Sequence, residues 1–154
     1  MFKPLALRSP TENMKLALQT DYALRTLMFL AARGERAHVA DVAELYGISR
    51  AHVAKVVNQL ARLGFLRSIR GVGGGIELVR PPAEIRIGEV VSAFEGRLNL
   101  LDCTGASGVC TIENFCKLKQ VLCEAERIQL EFLNGVTLDQ VVPTRRQLAK
   151  VEPE

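Results

Sequence analysis

Apolar and polar positions follow two different periods along this chain, and each change of period marks an element. Thr20-Asp21 precedes Tyr22, Leu24, Leu27, Met28, Leu30 and Ala31, spaced by threes and fours until Gly34. That pattern predicts a first helix. Val39–Tyr46 reads as a short helix, Gly47-Ile48 as a tight turn, and Ser49 as the cap of a second helix running to Leu63, which is helix-turn-helix spacing. Within that second helix Val53, Val56, Val57, Leu60 and Leu63 share a face. The period then changes to two. Phe65–Arg70 and Ile76–Val79 flank Gly71-Val72-Gly73-Gly74-Gly75, which predicts a β-hairpin wing directly after the helix-turn-helix. Pro81-Pro82 separates it from a helix over Ile85–Phe94 that Gly96 ends. From about Phe115 to Leu133 a longer helix carries Leu118, Val121, Leu122, Ala125, Ile128 and Phe132 on one stripe, with Asn134-Gly135 as its C-cap. One more helical turn is expected over Thr137–Val142, before Pro143 and a polar tail over 143–154.

The fold class is therefore mainly α with a small β-hairpin. A winged helix-turn-helix head (14–96) is joined by a cysteine-bearing loop (97–116) to a long helix and a short one (117–142). Residues 1–13 contain two prolines and no periodicity and are expected to form an extension, with Met14 a possible start. A stripe as long as that of the last helix, outside a compact head, needs a partner surface, and a symmetric homodimer is the commonest solution.

Charge sharpens this division. Residues 1–80 hold 12 Lys+Arg against 6 Asp+Glu, and residues 81–154 hold 8 against 11, so a net +6 half is joined to a net −3 half. Such segregation suits a phosphate-binding head on a body that does not touch nucleic acid. Ser49, Arg50, Ala51, His52, Lys55 and Gln59 lie at the start or on the polar face of the second helix, where they can contact phosphates and base edges of a double-stranded operator. Arg70, Gly71, Gly73 and Gly74 are the corresponding candidates in the wing, with Arg70 placed to enter a minor groove. A nucleotide-binding loop is excluded: no Gly-Lys-Ser/Thr follows the glycines, and the G-x-G-x-x-G spacing breaks at Ile76. No Ser-His-Asp set, H-E-x-x-H helix or carboxylate pair points to an enzyme. There is no membrane-length apolar run and no signal peptide, so a cytoplasmic protein with reduced thiols is expected.

Three of the 4 cysteines, Cys103, Cys110 and Cys116, fall within one glycine-containing loop with six and five residues between them. Zinc would require a fourth thiolate or a histidine, and the 2 histidines, His38 and His52, belong to the head. Iron-sulfur clusters favour thiolates and tolerate an unusual ligand at one iron. Cys123 lies about 10 Å further along the helix, too far to share one small cluster comfortably, and reads as a packing residue. A thiol switch, a structural zinc loop and ordinary loop residues remain alternatives. Asp21, in the first turn of helix one, has its own plain reading as a carboxylate facing a helix N-terminus.

The order of these features carries a family resemblance. The wing Ser68-Ile-Arg-Gly-Val-Gly-Gly-Gly75, the helix Ile87-Gly-Glu-Val90, the three cysteines and the long helix together resemble the iron-sulfur winged-helix transcriptional regulators of the IscR/NsrR family over 14–142. Gln19-Thr-Asp-Tyr-Ala-Leu-Arg25, Tyr46-Gly-Ile-Ser-Arg50, Asn58-Gln-Leu60 and Cys116-Lys-Leu-Lys-Gln120 are most similar to its nitric-oxide-sensing branch. The resemblance implies a homodimeric repressor whose iron-sulfur cluster, 4Fe–4S in preference to 2Fe–2S, is held by Cys103, Cys110 and Cys116. It implies Asp21 of the partner subunit as fourth ligand, and release of DNA on exposure to nitric oxide. Relatives that instead place a histidine three residues after the third cysteine differ from this chain, which has Lys119 there. Sensing of cluster supply or of general redox state is the rival within the same class.

Overall fold

The apolar stripes of the first 66 residues meet around one helix. In the computed structural model, which describes residues 15–151, α1 (Leu18–Arg33) is packed against α2 (Val39–Tyr46), α3 (Arg50–Arg62) and α4 (Ile87–Glu95). The expected extension over 1–13, a start at Met14 and the last three tail residues lie outside the described residues. Ala23, Leu27 and Leu30 of α1 close against Val42 of α2 and Val53, Val56 and Leu60 of α3, all at most 2% exposed. Burying each such side chain stabilises the fold by about 1.5–3 kcal/mol. The α2–α3 corner is made by Gly47 at φ 63, a left-handed position that a residue with a Cβ reaches only under strain.

The wing follows at once. β1 (Leu66–Ile69) pairs antiparallel with β2 (Gly75–Leu78) in the register Leu66↔Leu78 to Ile69↔Gly75. Alternation places Leu66 and Ile76 inward, and Ala37, just before α2, adds a bridge to Ile76 through two backbone hydrogen bonds of 3.1 and 2.8 Å. The hairpin is thus stitched to the head rather than hanging from it.

After a 3-10 turn at Pro82–Glu84 and α4, the segment expected to be loop contains structure of its own: α5 (Asp102–Gly105) and a 3-10 turn at Glu113–Phe115. α6 (Lys117–Asn134) is the long helix. It crosses α4 where Gly88 meets Asn134. Past α6 the chain returns to the head: Ile87 N–H donates to Val136 O (2.9 Å) and Leu138 N–H to Ile85 O (2.8 Å), with Leu138 fully buried at the start of α7 (Leu138–Val141).

Two expectations change here. The glycine cap of α6 forms at Gly135, but with φ −78, so its left-handed freedom is not used. The polar tail includes a capped turn, α8 (Arg145–Leu148), in which Thr144 accepts from Gln147 N–H, Leu148 is buried and the Arg145 guanidinium donates to Arg33 O at the C-terminus of α1. A carbonyl left over at a helix end is a natural acceptor for such a cation.

Candidate functional site

The candidate reading surface is built by the amphipathic pattern of α3. With its valines and Leu60 turned inward, Arg50, Ala51, His52 and Lys55 are exposed and Gln59 half-exposed on the opposite face. Ser49 starts the helix as expected: its hydroxyl accepts from His52 N–H (3.3 Å) and lies 2.9 Å from His52 Nδ1. The His52 ring also faces Tyr22 of α1, with centroids 6.2 Å apart. Arg25, one turn further along α1, lies over the Tyr46 ring at the end of α2 (5.4 Å) and pairs with Asp21 (2.8 Å). That pair raises the Arg25 pKa, while burial raises that of the Tyr46 phenol against the lowering effect of Arg25. Tyr22 and Arg25 of α1 therefore touch α3 and α2 in turn.

In the wing, Arg70, Gly71 and Gly73 are exposed as expected. Gly74 is a correction: it is buried, its N–H donates to Gly71 O (2.9 Å), and a Cβ on it would lie 2.4 Å from Ile69 O. Gly74 thus shapes the turn from beneath. From outside the hairpin Arg36 donates to Gly73 O (2.5 Å) and pairs with Glu77 (3.0 Å), which also takes Arg67 (2.6 Å). The two guanidiniums, Arg67 first, hold the Glu77 carboxyl below its ordinary range. Arg80 links the wing base to α4 by resting over Phe65 (5.3 Å) and pairing with Glu89 (2.7 Å).

The cysteine segment is framed by two glutamates. Glu126 of α6 accepts from Leu100 N–H (2.6 Å) and from the Thr104 hydroxyl (2.5 Å), fastening the turn that carries Cys103. Glu113 accepts from Gly108 N–H (2.5 Å) and Lys119 Nζ (2.5 Å), closing the loop that carries Cys110. Those bonds, Lys119 before Gly108, depress the Glu113 pKa, and Glu113 in turn raises that of Lys119. Cys116 caps α6, its sulfur accepting from Lys119 N–H (3.4 Å). Cys110 is exposed; Cys103, Cys116 and Cys123 are half-buried, and none of the four is in a disulfide.

Asp21 does not cap its own helix. Ala17 occupies the N-cap position, and Glu95 at the end of α4 accepts from Ala17 N–H (2.6 Å) and from the Thr20 hydroxyl. Among the described residues no three His, Cys, Asp or Glu side chains converge as a metal-holding set. The donor chemistry of three thiols fits an iron-sulfur group. The single chain does not gather them, and Asp21 is engaged by Arg25 of its own helix.

Residues 16–144 match the Rrf2 family, described as iron-dependent transcriptional regulators. The chain belongs to the Rrf2 family. Over 141 residues it is 43% identical to the HTH-type transcriptional regulator NsrR of Bacillus subtilis (strain 168), covering 90% of this chain and 97% of that one. Among solved structures it is similar to CymR, the global cysteine regulator of B. subtilis, with TM-score 0.67 and 20% identity over 82% of this chain and 94% of that one. T. potens IscR gives TM-score 0.64 and 22% identity over 82% and 84%. Oxidized Staphylococcus aureus CymR gives 0.65 and 26% over 81% and 93%. The chain is thus a DNA-binding transcription regulator with a winged-helix head, and not an enzyme.

Four side chains that organise this Rrf2 head and loop were not legible as such: Arg36, Glu95, Glu126 and Arg145. Each bonds a backbone group far away in sequence, Arg36 to Gly73 and Arg145 to Arg33, for example. Isolated charges in amphipathic segments carry no local mark of such a role. Among the described residues no helix is long and apolar enough to cross a membrane.

Proposed function

We propose that this Rrf2 regulator is a homodimeric repressor that holds an iron-sulfur cluster, 4Fe–4S in preference to 2Fe–2S, and leaves its operator when nitric oxide damages that cluster. One observation carries the reading: three cysteines sit on the segment that joins the DNA-reading head to a helix whose exposed apolar face has no cover among the described residues. Phe115, Leu118, Val121, Ile128 and Phe132 all lie on the surface, Phe132 at 71% exposure. That stripe suits a second copy of the chain. The 43% identity to a regulator named NsrR favours nitric oxide as the signal.

Cys103, Cys110 and Cys116 would hold the cluster as thiolates, and Asp21 of the partner subunit would add an oxygen. When bound, the cluster supplies iron that reacts with nitric oxide. The chain's own part is the exchange at Asp21. As a ligand, Asp21 gives up Arg25; freed, it pairs with Arg25 again. Arg25 lies on Tyr46, and Tyr22, beside Asp21, lies against His52 at the head of α3. The partner chosen by Asp21 therefore bears on both helices of the reading unit, and on the spacing of two α3 helices over half-sites about one DNA turn apart.

The test is anaerobic purification with iron and acid-labile sulfide analysis, followed by DNA-shift titration before and after nitric oxide. Expected are iron and sulfide together, loss of both in C103S, C110S and C116S, retention in C123S, and a DNA complex that nitric oxide dissolves. Asp21→Ala should leave the fold intact while making the iron more labile. A colourless protein containing zinc, or a DNA complex indifferent to nitric oxide, overturns the proposal.

A further inference from the structure

The most exposed large apolar side chain among the described residues is Val72, at 110% of its reference area, at the tip of the wing. Turn tips ordinarily take Gly, Asn, Asp or Ser, whose backbone preferences or hydrogen bonds favour the bend. A β-branched hydrocarbon there satisfies no local need, and none of the described residues covers it.

Its support is unusually firm for a loop tip. Gly74 N–H closes the turn onto Gly71 O (2.9 Å), with Gly73 at φ 72 in the position that a type II turn reserves for a positive φ. That geometry leaves Val72 at the outer corner. Arg36 grips the Gly73 carbonyl from below, and the Ala37–Ile76 bridge ties the hairpin to the head. A β-branched side chain adds its own stiffness at χ1. Arg70 lies exposed two residues before, a cation for flanking phosphates. The hairpin follows α3 after only Leu63, Gly64 and Phe65, with Phe65 and Leu66 buried, so reading helix and wing tip move as one unit.

We propose that Val72 is an apolar wedge that enters the minor groove beside the groove read by α3 and partly unstacks one base step. The inference rests on the DNA-binding reading and adds a residue and a mode of contact to it. Valine has no donor or acceptor for a base edge, so its contribution is shape. Insertion between base pairs kinks the duplex and discriminates by deformability, favouring pyrimidine–purine steps such as TA or CA/TG. Because the tip is braced beforehand, little conformational freedom remains to be lost on binding.

The experiment uses the full chain, purified without oxygen, and a duplex selected by it from a random-sequence pool, with 2-aminopurine placed at successive steps of the flanking minor groove. Val72→Ser should bind about tenfold more weakly. Val72→Ile, which keeps the branched hydrocarbon, should bind within about twofold of the wild type. The slope of affinity against salt should be unchanged in Val72→Ser, since no phosphate contact is lost, whereas Arg70→Ala should reduce it by about one. Wild-type protein should brighten 2-aminopurine at one step, and Val72→Ser should not. Equal affinity and equal fluorescence for wild type and Val72→Ser would overturn the wedge while leaving DNA binding standing. Failure of the wild type to select any duplex would remove the DNA-binding reading and the wedge with it.

Discussion

Replacing Gly88 with alanine sets two known effects against each other, and the geometry of α4 and α6 decides between them. Gly88 is the second residue of α4, where alanine gains helix propensity, at most about 1 kcal/mol and less in a first turn. Against this, a Cβ at Gly88 would lie 2.3 Å from Asn134 Oδ1, 2.7 Å from its Cγ and 2.7 Å from its backbone nitrogen. The amide oxygen can rotate away; the backbone nitrogen cannot. Asn134 is also held in place, because Arg86 donates to its carbonyl (2.8 Å) and Ile87 N–H donates to Val136 O two residues on (2.9 Å). Relief therefore requires the end of α6 to lift from α4, an overpacking cost of about 1–3 kcal/mol. The net expectation is a loss of about 1–2 kcal/mol, lowering Tm by roughly 2–8 °C for a chain of this size. Urea and calorimetric unfolding at fixed protein concentration measure it, since self-association shifts apparent stability. Gly47→Ala is the control: its φ of 63 imposes backbone strain of about 1–2 kcal/mol, yet nothing lies within 4 Å of the added Cβ, so the α6 crossing should be untouched. DNA affinity should fall in Gly88→Ala beyond what unfolding explains, because the arm is re-aimed relative to the head. A Gly88→Ala protein as stable as the wild type, with unchanged DNA binding, would refute the argument that this crossing is closed to a methyl group.

The apolar face of α6 and the glutamate of the cysteine loop give further tests. Ile128→Glu with Phe132→Glu, both at exposed positions, should leave the head folded and shift sedimentation from dimer to monomer; a dimer of undiminished strength would place the contact elsewhere. The depressed pKa of Glu113 means its stabilisation of the loop is fully present above the ordinary carboxyl value of 4.5 and is lost as pH falls through the lowered one. The Gly108 amide resonance should accordingly hold steady down to about that pH and move only below it. In Glu113→Gln this titration should vanish, and a persistent one would show that another group controls the loop.

Periodicity made the head legible before its coordinates. The valines of α3, the glycine corner at Gly47 and the alternation around the wing each have one way to bury their apolar side. All three elements formed where that logic placed them, within one or two residues at their ends. The cysteine segment was legible in composition but not in shape, since α5 is a single turn held by Glu126 from another helix, a contact separated by 22 and 26 residues. Asp21 shows the limit most clearly. Local chemistry favoured a cap, yet the start of α1 is held by Glu95, 75 and 78 residues away, and Asp21 turns to Arg25 instead. Gly74 was grouped with exposed wing residues because a glycine run does not reveal which member the turn tucks underneath.

Cys116 joins two levels of organisation in one atom. Its sulfur accepts the Lys119 amide at the start of α6, so one of the three thiols of the joining segment also secures the leading turn of the long helix. Oxidation or alkylation at this atom would therefore be felt mechanically as well as chemically: the leading turn would lose its cap, and the disturbance would enter the long helix whose apolar face lies exposed.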